Sequence, residues 1–270
     1  MEGSPPYVSA VLSIALYGAP IWAPQLRACR DGIRQMRQAL KPMYIRAIRE
    51  FSTISYMAAI TLAGSPPVKL LAEERRVLYW RIKELREEGK LTTRDLRALK
   101  SQAVARTLGI WGDILSDPRS YGCETAEAVR PCLPELAGRR GCGMSFHLVQ
   151  VLTGHGCFGK YLHQIGKEPT TRCHYSPVLM DTAFHTLAAC PAWREKCRVL
   201  AGAVGCHKGD ISLPYLVQAM CGSEEPEALA VNRPLQALLR RAHRTVAVRV
   251  IRGYKTVSHV AATALAGMPP

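Results

Sequence analysis

Three potential metal ligands lie between residues 173 and 190 at the spacing of a small zinc site. Cys173, His185 and Cys190 occupy the first, third and fourth positions of a C-x2-C-x8-H-x4-C pattern. Thiolates and imidazole nitrogens suit Zn²⁺, and a structural zinc site normally has four ligands. The second position holds Ser176, whose hydroxyl rarely ionises at neutral pH and is therefore a poor ligand. The spacing predicts a degenerate zinc knuckle at which zinc binding is weak or lost.

Other cysteines and histidines nearby offer a replacement for the missing fourth ligand. His174 adjoins Cys173 and would serve if the loop were rearranged, while Cys197 or the Cys206–His207 pair would reach back from the following helix. A decayed site and a site rebuilt with a new ligand both remain open from the sequence.

A second cysteine–histidine pair occurs in the block "TGHGCF", where His155 lies between two glycines and Cys157 follows. A nucleophilic cysteine needs a base within reach and a third group to orient that base. No acidic residue accompanies this pair, so we interpret both side chains as packing residues and predict no catalytic residue.

Basic residues dominate the charge of the chain and are patterned along one predicted helix. Lys and Arg number 36 against 21 Asp and Glu, a net charge of +15 that favours polyanionic partners. In the helix predicted from Leu26 to Lys41, basic residues recur at steps of three and four, and two more follow. We expect these residues to bind the phosphates of RNA and DNA, although a solvated helix face has the same pattern. They are Arg27, Arg30, Arg34, Arg37, Lys41, Arg46 and Arg49.

The ten cysteines are irregularly spaced, which favours a reduced intracellular protein over a disulfide framework. Residues 3–26 carry no charge, but four prolines and Gly18 interrupt the apolar run and no basic residue precedes it. We therefore expect a buried helix and turn rather than an export signal or a membrane span, and a nuclear or cytoplasmic location.

Helical periodicity covers most of the chain and predicts a mainly α fold. Pro42 is expected to stop or kink the first basic helix; a second helix covers 67–89, and a third opens with Thr92 and Asp95 at capping-box spacing. Between Asp113 and Gly143 the periodicity lapses into a segment rich in Gly, Pro and Cys. We predict a helical region at 1–112, which the resemblance described below implies to be thumb-like, a linker at 113–143, and a small helical subdomain with the degenerate knuckle at 144–222.

Residues 223–270 are predicted to be a truncated repeat of segment 26–67. Residues 46–67 align with residues 249–270 without gaps, and 12 of the 22 positions are identical. The offset of 203 residues greatly exceeds the period of a solenoid, roughly 20 to 50 residues.

Four blocks of the sequence resemble a known family. They are "LYGAPIWA" at 16–23, "STISYMAAITLAGSPPVKLLAEER" at 52–75, "LTGHGCFGKYLHQIG" at 152–166, and the knuckle followed by "CPAW". In this order they resemble the region after the polymerase palm in arthropod non-LTR (LINE-type) retrotransposon reverse transcriptases. The resemblance implies a helical thumb and a C-terminal CCHC knuckle that position template RNA and target DNA. It also implies Cys173, His185 and Cys190 as zinc ligands, and Ser176 departs from the family pattern.

The carboxylates needed for polymerisation are missing from this sequence. Reverse transcription uses clustered aspartates that hold two Mg²⁺ ions. The aspartates here are scattered, and no Tyr-x-Asp-Asp turn exists; they are Asp31, Asp95, Asp113, Asp117, Asp181 and Asp210. We therefore predict no Mg²⁺ site and no polymerase activity of the chain alone.

Three functional interpretations follow from the sequence. The first is a fragment of a reverse transcriptase that binds RNA and DNA, with the rest of a retrotransposon polyprotein as a further partner and no membrane. The second is a thumb and linker subunit that complements a separate palm. The third is a domesticated nucleic-acid-binding or protein-interaction module.

Overall fold

The computed structural model describes residues 6–49, 52–117, 119, 122–138, 145–206, 211–222 and 233–241. The chain divides into two compact units, Met1–Cys142 and Gly143–Pro270. All regular secondary structure in these described ranges is helical, which confirms the mainly α prediction. The repeat at 249–270 lies outside the described residues.

Among its described residues, the first unit contains eight α-helices. They are α1 (Pro6–Ala15), α2 (Ala19–Ala28), α3 (Arg30–Ile48), α4 (Tyr56–Leu62), α5 (Val68–Glu87), α6 (Thr93–Leu115), α7 (Cys123–Val129) and α8 (Leu133–Gly138). Helix α2 packs on α5, α5 on α6, α3 on α4, and α4 on α7. Trp111 of α6 and Tyr44 of α3 are fully buried, and the Tyr44 hydroxyl lies 2.9 Å from Ser65 Oγ. Burial of these apolar faces stabilises the unit by about 25 cal/mol per Å².

The predicted start of α6 is confirmed in detail. Thr92 Oγ1 accepts a hydrogen bond from the Asp95 backbone N–H, and the Asp95 carboxylate accepts one from the Thr92 backbone N–H. This capping box satisfies two N–H groups that have no partner within the helix. The prediction of a helix over 67–89 is also confirmed, since α5 begins directly after Pro67.

Of the two outcomes expected at Pro42, a stop or a kink, the stop is wrong, because α3 contains Pro42 and continues to Ile48. The missing N–H of proline weakens this turn, but the buried Met43, Tyr44 and Ile48 hold the later part of the helix against the core. The helix boundary lies instead at Cys29, whose backbone is extended and whose Sγ accepts a hydrogen bond from the Gly32 N–H.

Within the predicted linker at 113–143, the described residues are largely helical. Helix α6 runs through its first residues to Leu115, and α7, a 3₁₀ turn (Arg130–Cys132) and α8 follow. Val129, Leu133 and Leu136 are buried in the core of the first unit. Helices of six and seven residues are shorter than the window over which periodicity is visible, so the sequence pattern missed them.

None of the described helices is by itself long and apolar enough to cross a membrane. The pair formed by α1 and α2, bent by 79° at the break between them, meets the requirement in length and composition only.

The second unit contains α9 (Phe146–Thr153), α10 (Gly159–Gln164), α11 (Arg194–Val204), α12 (Leu213–Gly222) and α13 (residues 233–241). A π turn (His185–Ala189) and a 3₁₀ turn (Pro191–Trp193) precede α11. Between α10 and the π turn the chain forms an irregular loop, residues 165–182, which carries the first half of the predicted knuckle.

Candidate metal centre and basic helix face

The three predicted ligands of the knuckle come together in the second unit. One ligand atom from each of Cys173, His185 and Cys190 lies within 4.8 Å of the other two, and the two Sγ atoms are 3.9 Å apart. All three side chains are buried, with exposed fractions of 8%, 5% and 3%. Two sulfurs on a tetrahedral zinc at about 2.3 Å would lie roughly 3.8 Å apart. The donor set and its spacing therefore fit three corners of a zinc site.

Backbone hydrogen bonds of the loop fix the first half of the cluster. The Cys173 N–H donates to the Val178 carbonyl at 3.0 Å, and the Asp181 N–H donates to the Thr171 carbonyl at 2.8 Å. The Tyr175 N–H lies 3.4 Å from Cys173 Sγ and donates to it. These hydrogen bonds hold the Cys173 side chain beside the other two ligands.

The π turn fixes the second half. The Cys190 N–H donates to the His185 carbonyl at 2.8 Å, which closes an i→i+5 turn. In an α-helix, residues five apart are rotated by about 140° around the axis. The wider π turn brings them much closer to one line, so both side chains point to the same side; such turns are frequent at functional sites.

Ser176 lies beside this cluster. Its Oγ is 3.1 Å from His185 Nε2, within hydrogen-bonding distance, and the side chain is half-buried. The residue at the expected fourth position therefore reaches the cluster, but it brings a neutral hydroxyl where a thiolate would complete the site.

The alternative fourth ligands either have other hydrogen-bond or ion-pair partners or lie outside the described residues. His174 is exposed, with Nε2 3.3 Å from Glu168 Oε1, and Cys197 Sγ–H donates to the Thr186 carbonyl at 3.6 Å. Cys197 and Cys206 line a cavity of about 430 Å³ with Cys190, although neither belongs to the ligand cluster. His207 lies outside the described residues.

Asp181 positions the knuckle loop, a role that the sequence reasoning missed. Its buried carboxylate accepts hydrogen bonds from the Gly159 N–H at 3.0 Å and from the Thr186 hydroxyl at 3.2 Å. Burial is the main cause that raises the pKa of this carboxyl above its ordinary value, and the Gly159 N–H opposes the shift. A Cβ on Gly159 would lie 2.9 Å from the Thr171 carbonyl oxygen, so the loop approaches α10 as closely as glycine allows. The glycine at the start of α10 was the available signal for this contact.

The pair in "TGHGCF" has the surroundings of packing residues. Burial raises the pKa of the Cys157 thiol to about 12, so the thiol is protonated at neutral pH. The His155 ring stacks on Tyr161 at 4.6 Å between centroids, and burial lowers the pKa of His155.

Tyr175 and Trp193 form an edge-to-face pair at 5.1 Å that joins the knuckle loop to the 3₁₀ turn after Cys190.

Three of the predicted basic residues are exposed at the end of α2 and in the first half of α3. Arg27 at the end of α2 and Arg30 and Arg34 on α3 are exposed, and Arg34 forms a surface ion pair with Asp31 at 3.0 Å. Surface pairs of this kind contribute little to stability, about 0–1 kcal/mol, so this one leaves Arg34 available to phosphates.

The next two basic residues of α3 are less exposed than Arg30 and Arg34. Arg37 is half-buried and its guanidinium lies 5.7 Å from the centre of the Tyr56 ring, while Lys41 is also half-buried. Arg46 follows Lys41 by five positions, about 140° further round the helix. Arg49 ends the helix with a left-handed backbone at φ 55°. Arg46 and Arg49 are exposed but do not lie in line with Arg37 and Lys41 along the helix.

Comparison with known proteins gives one clear relationship. The chain is similar to a 115 kDa protein of the type-1 retrotransposable element R1DM of Drosophila melanogaster, with 26% identity over 200 residues. The similarity covers 70% of this chain and 19% of that protein, so the chain spans about a fifth of the relative's length. No family model matches the chain, and no solved structure matches it. With the four sequence blocks, this similarity identifies the chain as a retrotransposon-related protein.

Proposed function

We propose that this chain is the post-palm part of a non-LTR retrotransposon reverse transcriptase and binds RNA and DNA without polymerising. The observation that carries the proposal is the similarity to the R1DM protein over 70% of the chain. The order of the four blocks, the knuckle ligands and the basic face of α2 and α3 support the finer assignment.

The basic face has the chemistry of a phosphate-binding surface. Arg27, Arg30 and Arg34 are exposed, and each phosphate that they neutralise releases a condensed counterion. Contacts to phosphates carry no sequence information directly, so we expect binding through this surface to show little sequence preference.

The salt dependence of binding tests this surface. Replacing Arg27, Arg30 and Arg34 together by Gln removes three exposed charges and leaves the half-buried Arg37 in place. We expect the slope of log affinity against log salt on a duplex DNA probe to flatten by about 2.7, because each phosphate contact contributes about 0.9. Fluorescence anisotropy across a salt series gives the slope.

A matched variant on α6 separates this surface from a general effect of charge. Arg94, Arg97 and Lys100 are exposed in the first unit, and their replacement by Gln removes the same three charges. We expect this variant to retain the wild-type slope within about one contact. Equal flattening in both variants would refute a localised binding face.

The proposal includes no polymerase chemistry for the chain alone. In the part of the chain that the structure describes, the knuckle is the one place where three potential metal ligands converge. Asp95 caps α6 and Asp181 anchors the knuckle loop, so both carboxylates have structural roles.

We therefore expect the purified chain to extend no primer on an RNA template with Mg²⁺ or Mn²⁺, because two-metal catalysis needs clustered carboxylates. A gel assay of template-directed nucleotide incorporation measures this. Incorporation that copurifies with the chain through successive columns would contradict the proposal.

A second candidate function is a thumb and linker subunit that docks on a separately encoded palm. Ile14, Tyr17 and Ile21 on and between α1 and α2 are 78%, 86% and 76% exposed. Exposed apolar side chains grouped in this way mark protein interaction sites. Restoration of primer extension by a separately expressed palm domain would favour this candidate.

A further inference from the structure

Helix α13 stands in the same register as the basic helix α3. The offset of 203 residues that aligns 46–67 with 249–270 also aligns residues 233–241 with residues 30–38. Both stretches are helical in the structure. Arg233 corresponds to Arg30, and Arg240 corresponds to Arg37. These two arginines are the identical positions among the nine aligned, so the basic helices are less similar to each other than the segments that follow them.

The described residues of α13 form an amphipathic helix with a basic outer face. Leu235, Leu238 and Leu239 are buried in the second unit, whereas Arg233 and Arg240 are exposed. Arg233 and Arg240 are seven positions apart and lie within about 20° of each other around the helix. Leu235 is about 160° from Arg233 and about 140° from Arg240 around the helix, so the two arginines face away from the core.

The aligned residues of α3 and α13 differ in exposure and in charge. On α3, Arg37 is half-buried against Tyr56, but on α13 the corresponding Arg240 is exposed. On α3, Arg34 lies between Arg30 and Arg37, but on α13 the corresponding residue is Ala237, which is also exposed. On one side of helix α13, the exposed Arg233 and Arg240 are therefore separated by Ala237, at the position where α3 has Arg34.

We propose that Arg233 and Arg240 form a second phosphate-binding surface, which contacts the backbone of RNA or DNA. That the partner is a nucleic acid rests on the proposed function, while the surface itself rests on the exposed arginines and the buried leucines of α13. Each compact unit then carries a basic surface of its own.

A gain-of-charge variant tests this surface directly. Ala237→Arg places an arginine between Arg233 and Arg240 at an exposed helical position, where arginine is a good helix former. We expect the slope of log affinity against log salt on a duplex DNA probe to steepen by about 0.9, the contribution of one phosphate contact. Replacing Arg233 and Arg240 together by Gln should flatten the slope by about 1.8.

The matched control adds the same charge elsewhere. Ala98→Arg introduces one arginine at an exposed position of α6 and should leave the slope unchanged. Circular dichroism and melting of each full-length variant establish that the fold is retained. A slope unchanged in both Ala237→Arg and the Arg233/Arg240 variant would overturn the second surface, as would equal steepening by Ala98→Arg.

The same titrations distinguish this inference from the proposed function. Flattening by the Arg27/Arg30/Arg34 variant alone would leave the α3 face standing and reject α13. Flattening by the Arg233/Arg240 variant alone would support α13 and reject the α3 face. Wild-type affinity that does not depend on salt would reject both.

Discussion

Replacing Ser176 by Cys is expected to convert the knuckle into a closed, tightly binding zinc site. The Ser176 hydroxyl already lies 3.1 Å from His185 Nε2, so a thiolate at this position joins Cys173, His185 and Cys190 without moving the loop. Loss of an outer-shell partner alone weakens metal binding by about 10–100-fold. A gained thiolate ligand should therefore strengthen zinc binding by more than about 100-fold.

Cobalt substitution and chelator competition measure the difference. The Ser176→Cys variant should show tetrahedral thiolate-to-cobalt bands and a melting transition that chelators lower, because metal binding is coupled to ordering of the loop. The wild type should bind cobalt weakly, and chelators should barely change its melting. Ser176→Ala is the matched control: it removes the hydroxyl without adding a ligand and should not bind zinc more tightly than the wild type.

One outcome would contradict the interpretation of a degenerate site. If the wild type carries one tightly held zinc that Cys197→Ser or His207→Ala abolishes, the site has been rebuilt with a new fourth ligand. Cys197 lines the cavity next to Cys190 and donates to the Thr186 carbonyl, so its recruitment would require that hydrogen bond to break.

Replacing Gly64 by Ala is expected to destabilise the first unit by about 2–5 kcal/mol. Gly64 follows α4 with a left-handed backbone at φ 64°, and a Cβ there would lie 2.6 Å from the Leu136 carbonyl oxygen of α8. The variant therefore adds backbone strain of about 1–2 kcal/mol. It also adds a clash with a backbone atom, which cannot move aside as the end of a flexible side chain could. Urea unfolding monitored by tryptophan fluorescence gives the change in free energy of unfolding.

Gly89→Ala provides the matched control for the strain alone. Gly89 has nearly the same backbone angle, φ 65°, and a Cβ there would meet nothing within 4 Å. We expect this variant to lose only about 1–2 kcal/mol. Equal losses in the two variants would show that the clash of the added methyl group with α8 costs no stability.

The sequence by itself determined the features that depend on residues close together along the chain. The apolar spacing of α5 and α6 and the capping box at Thr92 and Asp95 predicted these helices, because helix periodicity and end capping involve residues within one or two turns. The spacing of Cys173, His185 and Cys190 predicted the cluster for the same reason, since a short loop and one turn carry all three ligands. The substitution at Ser176 was visible as a departure from that spacing.

Contacts between distant segments decided the rest. Helices α7 and α8 are too short to show periodicity, and they exist because Val129, Leu133 and Leu136 are buried in the first unit. Packing also kept α3 helical through Pro42 and turned Arg37 and Lys41 towards the core. The role of Asp181 depends on Gly159, 22 residues earlier, because a buried carboxylate must find its hydrogen-bond donors wherever the fold brings them. Such pairings depend on distances in space that the spacing of residues along the chain does not specify.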